Sequence, residues 1–268
     1  MKSTTKIEDP ILQTVKKGLP LSDELVVDSH MHLGLYNQYY VPFSEHVDAV
    51  HQLIRHMDRL GIDKGCIWSM GGQTADVVPL NDLIIDAVEK YPDRFIGYTF
   101  VNLNYPEVMV DELERCFDLG LRGIKLIPAY HAYPADGENL HIAYEFANQH
   151  SLPMHIHNLP ESEALDKLAE KYDKAVFQIG HYNRSYNEVM KQRQNVCGIL
   201  TEQPHPGFIE RLVEDDVIDK ALIGSDCVYF DAAFGIGPIA YARISYEDKR
   251  KLLGLNAKRI LERCGLWR

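Results

Sequence analysis

Two histidines alternate in a short segment near the start of the chain, Asp28-Ser29-His30-Met31-His32. Side chains point alternately to the two faces of a strand, so His30 and His32 would project from the same face. Two imidazoles on one side of a strand are the beginning of a metal site. With 12 histidines among 268 residues such a pair arises readily by chance, so it needs support from the rest of the chain.

Histidine or aspartate also stands at the end of three other apolar segments. His157 ends one, His181 follows a second and Asp226 follows a third. Imidazole nitrogens with one carboxylate oxygen suit a divalent ion, zinc by default, with iron, manganese, cobalt or nickel as alternatives. Such an ion lowers the pKa of bound water toward about 7 and polarises a carbonyl group. Asp226 would then accept the proton of the water.

The elements that must position these side chains are eight apolar segments, most of them separated by amphipathic helical periods. The helix over 44–60 is typical, because Ser44 can cap its start and Gly61 can end it. Eight βα units without a Gly-rich phosphate loop predict an α/β fold, a single (β/α)₈ TIM barrel over 25–268, with 1–24 as an N-terminal arm or cap. The predicted strands are 25–28, 65–69, 95–101, 122–127, 152–157, 175–180, 196–201 and 221–225.

The composition restricts the classes of partner. The formal net charge of −11, with no basic patch, argues against nucleic acid and anionic membranes. No apolar run approaches the roughly 18 residues of a membrane span. The five cysteines include no CxxC pair, so neither a disulfide framework nor a thiolate zinc site is indicated. We therefore expect a cytoplasmic protein that binds a small-molecule substrate, and a homo-oligomer is compatible with the sequence.

The candidate residues lie in segments with a recognisable pattern: VDSHMHLG, GIKLIP, LPMHIHN, QIGHYN and LIGSDCVYF. Together with the ending GLNAKRIL, they resemble the amidohydrolase superfamily, specifically its amidohydrolase-2 branch of metal-dependent barrel hydrolases and decarboxylases. The resemblance implies His30, His32 and His157 as metal ligands. It implies Asp226 as both ligand and catalytic proton acceptor. It implies His181 as a catalytic group that binds or polarises the substrate, or holds a second metal.

Three polar residues at the predicted strands have more than one interpretation. Lys125 could bind a substrate carboxylate, could bridge two metals as a carbamate, as in dihydroorotase-like relatives, or could extend its amine out of the barrel. We expect one metal ion, and Lys125 as a substrate-binding residue, because the amidohydrolase-2 resemblance covers most of the chain. His155 lies one layer deeper than His157, where packing is expected. Asp28 is expected to orient an imidazole N–H.

Seven tyrosines follow predicted strands and could line an apolar pocket with hydroxyl groups, although packing at a loop surface is an equal alternative. Tyr36 and Tyr130 are our candidates for substrate binding. The full set is Tyr36, Tyr39, Tyr40, Tyr130, Tyr133, Tyr182 and Tyr229. Glu202 is expected to be a solvated loop carboxylate.

The sequence favours a metal-dependent hydrolase that cleaves an amide, lactone or ester-like bond of a small molecule with a metal-activated water. One alternative is non-oxidative decarboxylation of an aromatic or unsaturated acid. Another, from a different class, is a non-catalytic metal-binding barrel. A third is Schiff-base chemistry on Lys125 without a metal, which would need a desolvated amine of lowered pKa.

Overall fold

Eight parallel strands form the centre of the molecule within the residues that the computed structural model describes, 9–34, 46–69, 76–157, 159–201 and 205–267. Each strand pairs with the next in sequence. A parallel bridge between Met31 and Cys227 joins the first strand to the segment after the last. This arrangement confirms the predicted (β/α)₈ barrel. The strands are β1 (Val27–Leu33), β2 (Lys64–Ser69), β3 (Phe95–Phe100), β4 (Gly123–Leu126), β5 (Pro153–Ile156), β6 (Val176–Ile179), β7 (Val196–Leu200) and β8 (Ala221–Ile223).

Helices follow the strands and cover the barrel. In the helix Pro106–Asp118, Pro106 occupies the first turn, where its missing N–H costs nothing, and Met109, Leu113 and Cys116 form the buried face. The described ranges contain the helices α1 (Pro10–Lys16), α2 (His46–Leu60), α3 (Val77–Lys90), α4 (Pro106–Asp118), α5 (Leu140–His150), α6 (Ser162–Lys171), α7 (Asn187–Gln192), α8 (Phe208–Glu214), α9 (Ala233–Tyr241), α10 (Tyr246–Arg250) and α11 (Asn256–Arg263). None of the helices in these ranges has the length and apolarity that crossing a membrane requires.

The described part of the segment before β1, residues 9–26, packs on the outside of the barrel. Its helix α1 contacts α9, and the Leu21 amide donates to the carbonyl oxygen of Leu60 at the end of α2. The fully buried Lys249 donates to a carboxylate oxygen of Asp9 at 2.5 Å. Gly61 has the left-handed φ of 78° expected of a residue that ends a helix. The division at residue 25 into arm and barrel stays a prediction.

Three residues discussed from the sequence, Tyr36, Ser44 and Glu202, lie outside the described residues. The same holds for Tyr39 and Tyr40. Their expected roles stay predictions.

Candidate metal centre

Three ligand atoms meet where β1 lies beside the end of β8. Oδ1 of Asp226 lies 3.0 Å from Nε2 of His30 and 2.9 Å from Nε2 of His32. The two Nε2 atoms are 3.3 Å apart. All three side chains are buried. The structure therefore brings together the histidine pair of β1 and the aspartate predicted from the opposite end of the chain.

A second group of nitrogen ligands shares His30 with the first. Potential ligand atoms of His30, His157 and His181 all lie within 4.8 Å of one another. The rings of His157 and His181 have centroids 4.5 Å apart, at the ends of β5 and β6. The predicted metal and catalytic residues thus converge on one cluster, buried except for the half-buried His181, with His30 at its centre.

Unusual backbone conformations hold two of these residues in place. Asp226 has φ of 60° and His181 has φ of 51°, both in the left-handed region that residues other than glycine rarely adopt. The Asp226 amide donates to the His30 carbonyl oxygen at 2.9 Å. The carbonyl oxygen of Asp226 accepts from the amides of Tyr229 and Phe230. Backbone strain of this kind is found where the surrounding structure fixes a functional side chain.

Burial and mutual contact set the charges of the cluster. Burial lowers the pKa values of His30, His32 and His157. It lowers that of His181 to about 4. Burial alone would raise the pKa of Asp226, but the two imidazoles beside it outweigh this and hold that pKa well below its usual range. Neutral imidazoles with an ionised carboxylate are the protonation states that metal ligands need.

The amidohydrolase family model Amidohydro_2 matches residues 69–263. The chain belongs to this amidohydrolase family. This match confirms the resemblance drawn from the five motifs, and membership of the family supports an enzymatic role. The match ends before residue 268 and begins at the end of β2, so the first histidine pair lies outside the matched range.

Solved structures of low sequence identity share the fold. A 5-carboxyvanillate decarboxylase from Novosphingobium aromaticivorans, complexed with manganese and a nitrobenzoic acid, is 19% identical, with 90% of this chain and 97% of that chain covered and a TM-score of 0.70. A 2,6-dihydroxybenzoate decarboxylase from Rhizobium is 15% identical, with 89% of this chain and 99% of that chain covered and a TM-score of 0.67. A probable 2-pyrone-4,6-dicarboxylic acid hydrolase from Acinetobacter baumannii is 14% identical, with 88% of this chain and 99% of that chain covered and a TM-score of 0.63.

The donor set of this amidohydrolase fits a divalent cation. Nε2 of His157 is buried and has no hydrogen-bond partner within the part of the chain that the structure describes. Buried polar atoms are nearly always paired, so an unpaired imidazole nitrogen in a ligand cluster calls for an additional partner. Nitrogen donors with a carboxylate oxygen suit zinc, manganese and iron.

Thr201, directly after β7, orients the central histidine. Its Oγ1 lies 3.0 Å from Nδ1 of His30. The expectation that Asp28 would fill this role is wrong. Oδ1 of Asp28 accepts instead from the backbone amides of His30 and Ser225. Burial raises the pKa of Asp28 to about 7.

We expect Thr201→Val to weaken metal binding by about 10- to 100-fold, because loss of the partner of a ligating imidazole frees its ring orientation. The substitution keeps the shape of the side chain and removes the hydroxyl group. Competition with a chromogenic chelator measures the affinity. Thr201→Ser, which keeps the hydroxyl group, should bind metal like the wild type. Equal affinities of the valine and serine variants would contradict the role of Thr201.

The indole ring of Trp68 packs against the histidine cluster, and this contact was not predicted from the sequence. The ring of Trp68, on β2, lies 4.7 Å from that of His30 and 5.0 Å from that of His32. Nζ of Lys125 lies 4.3 Å from the centroid of Trp68, and the side chain is fully buried. The interpretation in which the Lys125 amine extends out of the barrel is therefore wrong. Its role in substrate binding stays a prediction.

His155 and Tyr182 lie in the barrel core. His155 is fully buried, with its ring 4.5 Å from that of Trp68 and 4.4 Å from that of His30, and its assignment to packing stays a prediction. Tyr182 is 1% exposed and its hydroxyl group donates to the side chain of Asn187, so of its two interpretations packing applies. Tyr130 is 53% exposed, with its ring 6.4 Å from that of His157. Its predicted contact with substrate is compatible with this position.

Gly224 permits the close approach of β8 to the histidine pair. A Cβ atom at this position would lie 2.8 Å from Cβ of His30, 2.9 Å from Oγ1 of Thr201 and 2.5 Å from Cγ2 of Ile199. Contacts this short cannot be relieved by moving a flexible side-chain end. The position two residues before Asp226 therefore requires glycine.

We expect Gly224→Ala to lower the free energy of unfolding by about 1 to 3 kcal/mol, the usual effect of adding a methyl group to a packed core. Urea denaturation followed by circular dichroism measures this. The matched control is Gly237→Ala in α9, where an added Cβ meets no atom within 4 Å outside its chain neighbours and its own helix. The helical preference of alanine over glycine is offset here by the following Pro238, so we expect this variant to be about as stable as the wild type. A Gly224→Ala variant as stable as the wild type would show that β8 adjusts freely.

Proposed function

We propose that this amidohydrolase is a metal-dependent hydrolase acting on an amide, lactone or ester-like bond of a small molecule. The observation that carries the proposal is the position of Asp226, whose Oδ1 lies within hydrogen-bond distance of two buried imidazoles. An ionised carboxylate held at a donor cluster can bind a cation and also accept a proton. Membership of the amidohydrolase family agrees with this chemistry.

The residues that would hold one cation are His30, His32, His157 and Asp226. A bound divalent cation supplies Lewis acidity toward a carbonyl oxygen and lowers the pKa of water. Asp226 takes up the proton that the attacking water loses and returns it to the leaving group. Hydrogen bonds hold both the backbone and the carboxylate of Asp226, so the carboxylate oxygen keeps its position beside the two imidazoles.

His181 is the second catalytic group in this proposal. Its pKa of about 4 leaves the imidazole neutral at pH 7, so the ring can donate one hydrogen bond to the substrate carbonyl group. Its position, 4.5 Å from His157 between ring centroids, places it at the edge of the ligand cluster. In this role His181 polarises the bond that is cleaved.

Decarboxylation of an aromatic acid is the second candidate. Two of the solved structures with this fold are decarboxylases of substituted benzoates, and one holds manganese with a nitrobenzoic acid. The rings of Tyr130 and Tyr229 near His157 and His32 are compatible with an aromatic substrate. In this reaction the same carboxylate, Asp226, would pass a proton to the ring carbon that loses CO₂.

The deciding experiment starts from protein stripped of metal by a chelator and reloaded with zinc or manganese. Elemental analysis gives the number of ions per chain, which we expect to be one. The loaded protein is then tested with lactones, cyclic amides and aryl esters for acid release, and with hydroxybenzoates for CO₂ release. Acid release supports the proposal, and CO₂ release alone replaces it with decarboxylation. A protein that binds the metal and converts neither group of compounds would be a non-catalytic barrel.

A further inference from the structure

A cavity of about 360 Å³ lies beside the metal centre, between helix α2 and the loop after β8. Its walls are Gln52, Leu53 and His56 of α2 and residues 227–231 of the loop. Of these residues only Tyr229 has a place in the proposed function, as a ring near His32 that is compatible with an aromatic substrate. The volume lies in the range of small-molecule sites, which run from about 300 to 1,000 Å³.

One residue of the cavity wall also contacts a metal ligand. Tyr229 lines the cavity, and its ring lies edge-on to that of His32 with the centroids 5.2 Å apart. A compound that reacts at the ligand cluster and extends along Tyr229 would therefore reach the cavity.

The cavity wall is also joined to the backbone of Asp226. The amides of Tyr229 and Phe230 donate to the carbonyl oxygen of Asp226 at 2.8 Å and 3.2 Å. This tight turn connects Asp226 to Phe230 within four residues. The distance between the proton acceptor and the cavity wall is thus set by the backbone, and the two can act on one substrate.

The lining favours an uncharged, apolar group. Leu53, Val228, Tyr229 and Phe230 contribute aliphatic and aromatic surface. The charges at the edge cancel, because Nη2 of Arg59 lies 3.2 Å from Oδ2 of Asp231. The ring of Phe230 stacks on that of Phe234 at 5.2 Å, and both are partly exposed at this side of the molecule.

We propose that this cavity is the subsite for an uncharged aromatic part of the substrate, with Tyr229 as the wall that sets its distance from the reacting bond. The proposal rests on the proposed function, since it places the substrate's reacting group at His32 and Asp226. It narrows the substrate class to molecules in which a hydrolysable bond is attached to an apolar ring.

Phenol is a suitable probe, and its binding is measured by ligand-observed NMR on wild type, Gln52→Trp and Arg55→Trp. Gln52 lines the cavity, whereas Arg55 lies exposed on the same helix outside it. We expect Gln52→Trp to weaken phenol binding by about tenfold or more, because the indole fills the cavity, and Arg55→Trp to leave it unchanged. Phe230→Ala, at the exposed edge, should weaken binding by a smaller factor.

A second measurement relates the cavity to the metal. Manganese is paramagnetic and zinc is not, so phenol bound beside the metal centre should show faster relaxation in the manganese-loaded protein than in the zinc-loaded protein. Equal phenol affinity of Gln52→Trp and wild type would overturn the subsite, as would equal weakening by Gln52→Trp and Arg55→Trp. The affinity comparison requires no turnover, so its failure is distinct from a negative substrate panel.

Discussion

The His30→Ala variant is expected to lose its divalent metal and its activity together. His30 belongs to both ligand groups, with His32 and Asp226 on one side and with His157 and His181 on the other. Loss of a group that only orients a ligand costs about 10- to 100-fold in metal affinity, so loss of a shared ligand should cost more than about 100-fold. Elemental analysis after dialysis measures the metal content. His32→Ala removes a ligand from only one of the two ligand groups, so this variant should retain more metal than His30→Ala.

A surface histidine provides the control for this experiment. His205 is exposed before α8, and His205→Ala should bind metal like the wild type. Circular dichroism of His30→Ala would show that the barrel still forms, so that metal loss is not a result of unfolding. Full metal content in both His30→Ala and His32→Ala would remove the histidine pair from the metal centre.

The second large effect is expected for Asp226→Asn, with kcat lowered by about 10²- to 10⁴-fold, the usual contribution of a general base. The amide keeps an oxygen that can coordinate a cation weakly but cannot take up a proton at pH 7. Part of the metal should therefore remain while turnover is lost. Steady-state kinetics on the best substrate of the panel, with metal analysis of the same sample, separates the two effects.

Asp173→Asn is the matched control, because Asp173 is an exposed carboxylate in the turn before β6. It should leave both kcat and metal content unchanged. Turnover by Asp226→Asn at the wild-type rate would exclude Asp226 as the proton acceptor, whatever the metal content.

The periodicity of the chain was sufficient to predict the barrel, because each strand is a short apolar run and most helices show one apolar face. Helix α9 was missed, since Gly235, Gly237 and Pro238 are typical of loops. It forms because Ile236 and Ile239 are buried against the barrel, and packing outweighs intrinsic preference. The apolar spacing predicts a helix from about residue 81, whereas α3 begins at Val77, because Asp76 caps it.

The candidate site was predictable where a residue type is chemically distinctive and stands at a strand end, as for His30, His32 and Asp226. Thr201 and Trp68 were not, because a hydroxyl group or an indole in an apolar strand has no distinctive pattern until its neighbours in space are known. The hydrogen bond of Asp28 with the Ser225 amide depends on β1 lying beside the end of β8, a contact that leaves no mark in the sequence. Long-range geometry of this kind is decided by tertiary packing.

The contact of Asp226 with the histidine pair joins the two ends of the barrel, since His32 and Asp226 are 194 residues apart in sequence. A cation held by these residues would bind only a chain whose first and last strands have met. Ligands that bind only the folded form stabilise it, by about 4 kcal/mol at a thousandfold excess over Kd. Metal supply would then govern the lifetime of the folded protein as well as its chemistry, and a metal-starved cell would lose the protein to proteolysis.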